Sequence, residues 1–297
     1  MTKYSKTNLC LFGSYPVRIN GRPHHLGISG PTESLFQYLL VNIGKEVRRE
    51  FLAELFWRGS SAGRSRSALN SAICRIKRQL VDVEGVEVVC DGPAVFLGIT
   101  ETVKVDVQEL TETVHSISLS ETMSAGLADR LYKALDVCDA PFLDGVTSDW
   151  VLTERERMFN IQIRGKTILM HWLGQQRRYE DALDIGRRLL AADPARETTQ
   201  CEMMWLYVLN GQRAQALRQF QEFRCWLKSE LGIEPMQETR ALYDHIQLEL
   251  NGGRSGKTSQ RSDTEVKETR RVSFNVLLDG IERSRRELYE ILCSQFP

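Results

Sequence analysis

The stretch VEVVCDGPAVFLGI, residues 86–99, holds two short apolar runs on either side of Asp91-Gly92. An Asp-Gly pair between two such runs predicts a β-hairpin. Three segments with apolar residues at helical spacing precede it, namely PTESLFQYLLVN at 31–42, REFLAELFW at 49–57 and a longer segment from about 60 to 80. A strand, three helices and a hairpin follow the element order of a winged helix-turn-helix. We therefore predict such an α+β domain in residues 1–110.

Two shorter apolar runs near the N-terminus supply the strands that this domain needs. They are LCLFG at 9–13 and PVRIN at 16–20. Both have the length of short strands, and Asn20-Gly21 favours a tight turn after the second run. Pro31 then suits the first turn of the first helix, because proline has no backbone N–H to leave unpaired there.

The third helix carries its charges in an unusual pattern. Between Glu54 and Asp82 the chain has no acidic residue, whereas six basic residues fall inside this interval. On a helical wheel the apolar residues from Leu69 to Leu80 cluster on one side. Basic and small polar residues occupy the other side. Because a solvated helix face usually interleaves glutamate with its basic residues, a face without carboxylates favours nucleic acid over solvent as its partner.

We predict that this face lies in the major groove of double-stranded DNA, where arginine reads guanine and small polar groups allow close approach. The candidate DNA-binding residues are Arg64, Arg66, Ser67, Asn70, Ser71, Arg75, Lys77 and Arg78. The alternative interpretation is a solvated basic face without a ligand.

The pattern from about Leu127 to Leu250 is helical throughout, and it repeats. RYEDALDIGRRLLAADPARE and RAQALRQFQEF align when Ala182 is placed on Ala216, a shift of 34 residues. This is the period of tetratricopeptide helix pairs. We therefore predict an all-α, tetratricopeptide-like domain in residues 111–250, so that the chain as a whole is mainly α.

The tail contains a motif that resembles a phosphate-binding loop, NGGRSGKTSQ at 251–260. A true loop of this kind needs a glycine five residues before Gly256, where this chain has Asn251, and it follows a buried strand. The surrounding residues are polar, so we interpret 251–271 as a flexible linker. Apolar spacing returns afterwards and predicts a C-terminal amphipathic helix in 272–297.

Composition limits the other function classes. The 297 residues include 39 basic and 39 acidic ones, so the formal net charge is zero and any affinity for nucleic acid comes from local clustering. No apolar run has the length of a signal peptide or of a membrane span. The seven cysteines show no CxxC spacing, and no catalytic motif with histidine, serine or glycine is present. We expect a cytoplasmic, non-enzymatic protein without a cofactor, metal or membrane partner.

Several blocks in order resemble the Streptomyces antibiotic regulatory protein family, in which an OmpR-type winged helix precedes a bacterial transcriptional activation domain. The blocks are FGSYPVRINGRPHHL (12–26), LAELFW (52–57), SALNSAICRIKRQL (67–80), VDVQEL (105–110), APFLDGV…DWVLTERERM (140–158), RRYEDALDIGRRLLAADPARE (177–197) and ELGIEPMQETRALYDHI (230–246). They cover roughly residues 8–250.

The resemblance implies a transcriptional activator that binds direct repeats near promoters and contacts RNA polymerase, including its sigma factor. It also implies that the third helix reads DNA and that DGPAVF (91–96) forms the wing. Where the family has glycine and an aromatic residue in the wing, this chain has Pro93-Ala94-Val95. A homodimer on DNA is a further partner that the resemblance allows. The rival hypothesis is a non-enzymatic adaptor whose winged helix and helical repeats dock other proteins.

Overall fold

The computed structural model describes residues 7–13, 17–119 and 123–252. The chain divides into two compact units, with the boundary between Gly165 and Lys166. Its strands are β1 (Thr7–Leu9), β2 (Val17–Ile19), β3 (Arg22–Pro23), β4 (Val47–Arg48), β5 (Val86–Asp91), β6 (Ala94–Ile99) and β7 (Lys104–Val105). Its helices are α1 (Pro31–Val41), α2 (Arg49–Phe56), α3 (Ala62–Gln79), α4 (Asp106–Leu119), α5 (Ala125–Val137), α6 (Asp149–Gln175), α7 (Tyr179–Ala192), α8 (Glu197–Leu209), α9 (Arg213–Glu230) and α10 (Gln237–Gly252).

The N-terminal sheet has the order β3-β2-β1-β7, with β1 antiparallel to β2 and parallel to β7. The predicted turn at Asn20-Gly21 is confirmed, since φ is 52° at Asn20 and 78° at Gly21 as a type I′ hairpin requires. The first strand ends at Leu9, earlier than the predicted run 9–13. It ends there because the backbone N–H groups of Leu11 and Phe12 donate to the Asp106 carboxylate instead of to a neighbouring strand.

The winged helix is present as predicted. Helices α1, α2 and α3 precede the hairpin of β5 and β6, whose register closes at Asp91 opposite Ala94. Strand β4 pairs with β6 and extends the hairpin to three strands. The helices and the hairpin share one core of fully buried side chains, which includes Leu35, Leu39, Leu52, Leu69, Ile76 and Leu97. Burial of these apolar side chains is what fixes α3 against the rest of the domain.

The second unit consists of antiparallel helices that agree with the predicted repeat. Ala182 on α7 and Ala216 on α9, which the 34-residue shift aligns, are both fully buried. Trp205 on α8 and Phe220 on α9 are each 4% exposed. The tetratricopeptide-like fold is therefore confirmed. Of the helices in the described ranges, none has both the length and the hydropathy needed to cross a bilayer.

Helix α10 extends through Gly252, two residues into the predicted linker 251–271. A glycine is a common residue at a helix end, so the helix uses Asn251-Gly252 as its last turn rather than starting a linker there. The rest of that segment, including the GKT motif, and the predicted helix 272–297 lie outside the described residues.

Cys201 on α8 offers a simple test of the packing in the second unit. Its thiol is buried and donates to the Thr239 hydroxyl at 3.4 Å, and burial raises the pKa of the Cys201 thiol from 9.0 to about 11. Since the thiolate is the nucleophile, Cys201 should react with a thiol reagent near pH 8 about a hundredfold more slowly than the exposed Cys225. Peptide mapping of the labelled, folded protein measures this. Equal rates at both cysteines would show that α8 and α10 are not packed as described.

Candidate nucleic-acid interface

Helix α3 is anchored by one apolar face and one polar contact. Leu69, Ala72, Ile73 and Ile76 are buried at helical spacing. At the start of the helix, the buried Ser65 hydroxyl donates to the Trp57 carbonyl at 3.1 Å, which ties α3 to the end of α2. The opposite face of α3 is thereby held towards solvent.

All eight candidate DNA-binding residues lie on that exposed side. Two of them have local hydrogen bonds: Arg64 Nε donates to the Ser61 hydroxyl at 3.2 Å, and the Ser71 hydroxyl donates to the Ser67 carbonyl at 3.0 Å. Within the described ranges, the other basic side chains of the face form no ion pair with a carboxylate. These are Arg66, Arg75, Lys77 and Arg78. The face therefore offers uncompensated positive charge, and its contact with DNA stays a prediction.

Basic side chains on other surface helices of this chain do form ion pairs, as helix α7 shows. On α7, Arg187 lies 3.5 Å from a carboxylate oxygen of Asp184, and Arg188 lies 3.6 Å from the other oxygen of the same side chain. Such pairs neutralise a surface helix locally. Helix α3 has no equivalent, because no acidic residue occurs between Glu54 and Asp82.

Sequence reasoning missed Arg49, which begins α2 and contacts the candidate set. Its Nη2 donates to the Asn70 Oδ1 at 2.8 Å, and its backbone N–H donates to the Pro93 carbonyl at 2.8 Å. Arg49 thus links three parts of the winged helix: α2, α3 and the hairpin turn. The pair Arg48-Arg49 ahead of an apolar helix was the available signal. It lies outside the acid-free interval between Glu54 and Asp82.

The tip of the hairpin, which the family resemblance assigns to the wing, is exposed at Asp91, Gly92 and Pro93 and buried at Ala94 and Val95. Asp91 places a carboxylate at this tip. A negative charge there repels the phosphates of DNA, so the tip is less suited to contact the DNA backbone than the basic face of α3 is.

Two groups of contacts connect the winged helix to the residues that follow it. Asp106 at the start of α4 accepts from the backbone N–H groups of Leu11 at 2.8 Å and Phe12 at 3.0 Å through Oδ2, and from Val107 through Oδ1 at 2.7 Å. Burial raises the pKa of the Asp106 carboxyl above its ordinary value of 3.8, and the backbone hydrogen bonds oppose this shift. The second group is aromatic.

Trp150 on α6 meets Tyr38 edge to face, with ring centroids 5.1 Å apart, and Phe56 with centroids 6.4 Å apart. Arg155, one turn further along α6, donates to the carbonyls of Phe142, Leu143 and Val146. Helices α1 and α2 are therefore packed directly against the first turns of α6.

The region that these contacts join to the winged helix can be recognised. Residues 105–247 match the family model of the bacterial transcriptional activator domain. The chain carries a bacterial transcriptional activator domain. A chain with this domain is a transcriptional regulator, and the resemblance to the Streptomyces antibiotic regulatory proteins is confirmed.

The relatives with curated names agree with the activator domain. The chain is 25% identical over 249 residues to the transcriptional regulatory protein MoaR1 of Mycobacterium bovis (strain BCG / Pasteur 1173P2), a match that covers 79% of this chain and 78% of MoaR1. It is 25% identical over 237 residues to the regulatory protein AfsR of Streptomyces coelicolor (strain ATCC BAA-471 / A3(2) / M145), covering 78% of this chain and 23% of AfsR.

A solved structure shares the fold of the activator-domain protein. Mycobacterium tuberculosis EmbR, in complex with a low-affinity phosphopeptide, superposes with a TM-score of 0.64 at 20% identity, covering 92% of this chain and 71% of EmbR. The same winged helix and helical repeat thus occur together in EmbR.

The described residues contain no group of three or more histidine, cysteine or acidic side chains positioned to hold a metal ion. The side chains that the fold gathers at the exposed face of α3 are cations, hydroxyls and an amide, which suit binding to phosphate and base edges.

Proposed function

We propose that the chain is a sequence-specific DNA-binding transcriptional activator whose α3 lies in the major groove. The observation that carries this proposal is the exposed face of α3, where Arg66, Arg75, Lys77 and Arg78 have no ion pair with any carboxylate in the described residues. Cationic side chains on one exposed helix face neutralise phosphates and release counterions, which drives binding to DNA.

The shape of the domain supports the same proposal. The major groove, about 12 Å wide, admits one α-helix, and the base edges in it differ for all four base pairs. Helix α3 has 18 residues and is held by its apolar face, so it presents a rigid strip of side chains to the groove. Small residues such as Ser67 and Ser71 within that strip allow the helix backbone to approach the bases.

Binding to duplex DNA at two salt concentrations separates this proposal from the rival adaptor function. We expect the association constant to fall steeply with salt, with a slope of log K against log[salt] near −0.9 per phosphate contact. A protein that docks other proteins through its winged helix would bind duplex DNA weakly or not at all at both salt concentrations. That result would favour the adaptor.

We expect Arg75→Ala and Arg78→Ala to weaken DNA binding in different ways. The two side chains are nearly one turn apart on the exposed face, so one is expected to contact a base edge and the other a phosphate. Loss of the base contact should cost about 1–3 kcal/mol and relax the preference at one position of the site. Loss of the phosphate contact should weaken all sequences alike and reduce the salt slope by about one.

Titration of each variant against a panel of operator sequences measures this difference. Arg187→Ala, which removes an exposed arginine paired with Asp184 on α7, is the control and should leave affinity unchanged. If Arg75→Ala and Arg78→Ala both leave affinity and preference unchanged, these residues are not DNA contacts.

We further propose that the activator acts in the cytoplasm on direct repeats near promoters, where its activator domain contacts RNA polymerase, including the sigma factor. Transcription from a promoter with two repeats, compared with one repeat, measures whether two copies act together. Equal activation from both promoters would contradict the direct-repeat arrangement and a homodimer on DNA.

A further inference from the structure

The hydrogen bond between Arg49 and Asn70 fixes the orientation of an exposed amide on α3. Arg49 Nη2 lies 2.8 Å from the Asn70 atom that faces it. A guanidinium group has five N–H donors and no acceptor, so the facing atom must be the amide oxygen. The Asn70 Nδ2 group, with both of its N–H donors, is therefore turned away from Arg49.

Arg49 is well placed to hold this orientation, because its own backbone is fixed from a second direction. Its backbone N–H donates to the Pro93 carbonyl at the hairpin turn, and it begins α2 directly after strand β4. Among the described residues it forms no ion pair with a carboxylate, so no acid competes for the guanidinium. The side chain of Arg49 is only partly exposed, whereas Asn70 is exposed.

Arg49 and Asn70 together leave only hydrogen-bond donors available to a ligand, because the Asn70 amide oxygen is occupied by Arg49. Arg49 keeps N–H groups that the bond to Asn70 does not use, and Asn70 offers its Nδ2 group. Arg66 and Lys77, which lie on the same flank of α3 by helical spacing, add only further donors. A free asparagine reads adenine by accepting from N6 and donating to N7. Here an adenine N6 donor would meet a guanidinium, which is itself a donor and a cation.

We propose that Arg49 is a positioning residue that makes Asn70 select a base edge with acceptors only. Guanine, which presents O6 and N7 as two acceptors in the major groove, fits this donor surface best, because thymine offers O4 as its single acceptor, and adenine and cytosine each present an amino donor. The inference rests on the proposed function, since it requires α3 to lie in the groove. It adds a specificity-determining pair, Arg49 and Asn70, to the DNA-reading face.

Selection of duplexes by the full chain from a randomised pool tests this inference. The wild-type protein should select guanine at one position of its site. Asn70→Ala and Arg49→Ala should each reduce the preference for guanine over adenine at that same position by about tenfold. The double variant should lose no more than either single variant, because the two residues act as one unit. Arg49→Lys, which keeps a donor-only cation beside the amide, should retain part of the preference.

Each outcome decides between the hypotheses. If Arg49→Ala weakens all sequences equally and lowers the salt slope, Arg49 is a phosphate contact and the inference is wrong. An unchanged preference in Asn70→Ala also overturns it, while leaving DNA binding by α3 intact. If the wild-type protein selects no duplex, the proposed function fails and the inference fails with it. Thermal unfolding of each variant, compared with the control Arg187→Ala, checks that each variant is folded.

Discussion

Replacement of Trp205 by alanine is expected to lower the free energy of unfolding by about 3–5 kcal/mol. Trp205 is 4% exposed and belongs to a buried cluster in the second unit. Its neighbours in that cluster are Cys201, Met204, Val208, Ala216, Phe220, Leu242 and Ile246. The cost is large because the cluster joins α8, which carries Trp205, to α9 and α10, and these helices cannot all collapse into the cavity that the indole leaves.

Denaturant unfolding of the full chain, followed by a probe in the second unit, measures this loss. Leu231→Ala is the matched control, because Leu231 is an apolar residue at the end of α9 that is 53% exposed. It should change stability by less than about 0.5 kcal/mol. We also expect Trp205→Ala to reduce transcriptional activation. A Trp205→Ala protein as stable as wild type would show that the helical repeat has a different register.

Asp106→Ala is expected to lower the free energy of unfolding of the first unit by about 2–4 kcal/mol. The carboxylate accepts three backbone N–H groups, from Leu11, Phe12 and Val107, and alanine leaves all of them without this acceptor. A buried donor without a partner costs about 1–3 kcal/mol, and the partly offsetting gain is that a buried charge is removed. Asp82→Ala, at an exposed position after α3, is the control and should have little effect.

The pH dependence of this effect has a defined sign. Burial raises the pKa of Asp106 in the folded protein above 3.8, so the folded state binds the proton more tightly than the unfolded chain does. The stability that Asp106 contributes is therefore fully present below the unfolded pKa and declines as pH rises through the folded pKa. Unfolding of wild type and Asp106→Ala at several pH values should show a difference that shrinks as pH rises from about 4 towards neutrality. A difference that grows with pH over this range would contradict the raised pKa.

The sequence predicts the parts of this molecule that depend on local spacing. The spacing of the apolar positions around Leu69 and Ile76 predicted the buried face of α3, and Asp91-Gly92 predicted the hairpin of β5 and β6. The alignment of Ala182 with Ala216 at a 34-residue shift predicted the helical repeat, and both alanines are fully buried. Charge and helical spacing are also local properties of the sequence, so they were enough to nominate the exposed face of α3 as the candidate DNA-binding face.

Contacts between residues far apart in the chain were not predictable. Asp106 accepts from the backbone N–H groups of residues that lie 94 and 95 positions earlier. A helical or strand pattern in the sequence predicts no partner at such a distance along the chain. The same applies to Trp150 against Tyr38. Arg49 and Asn70 are 21 positions apart on two different helices, so their hydrogen bond depends on the crossing of α2 and α3. Only the folded chain brings these groups together.

The most direct test of DNA reading by α3 is the affinity of the double variant Arg75→Ala, Arg78→Ala for a selected operator. The variant should remain folded, since both side chains are exposed and neither forms an ion pair within the described ranges. Titration at about 50 mM and about 200 mM salt should show much weaker binding than wild type at both concentrations and a shallower dependence on salt. A folded double variant that binds the operator with wild-type affinity and salt dependence would contradict DNA reading by this helix.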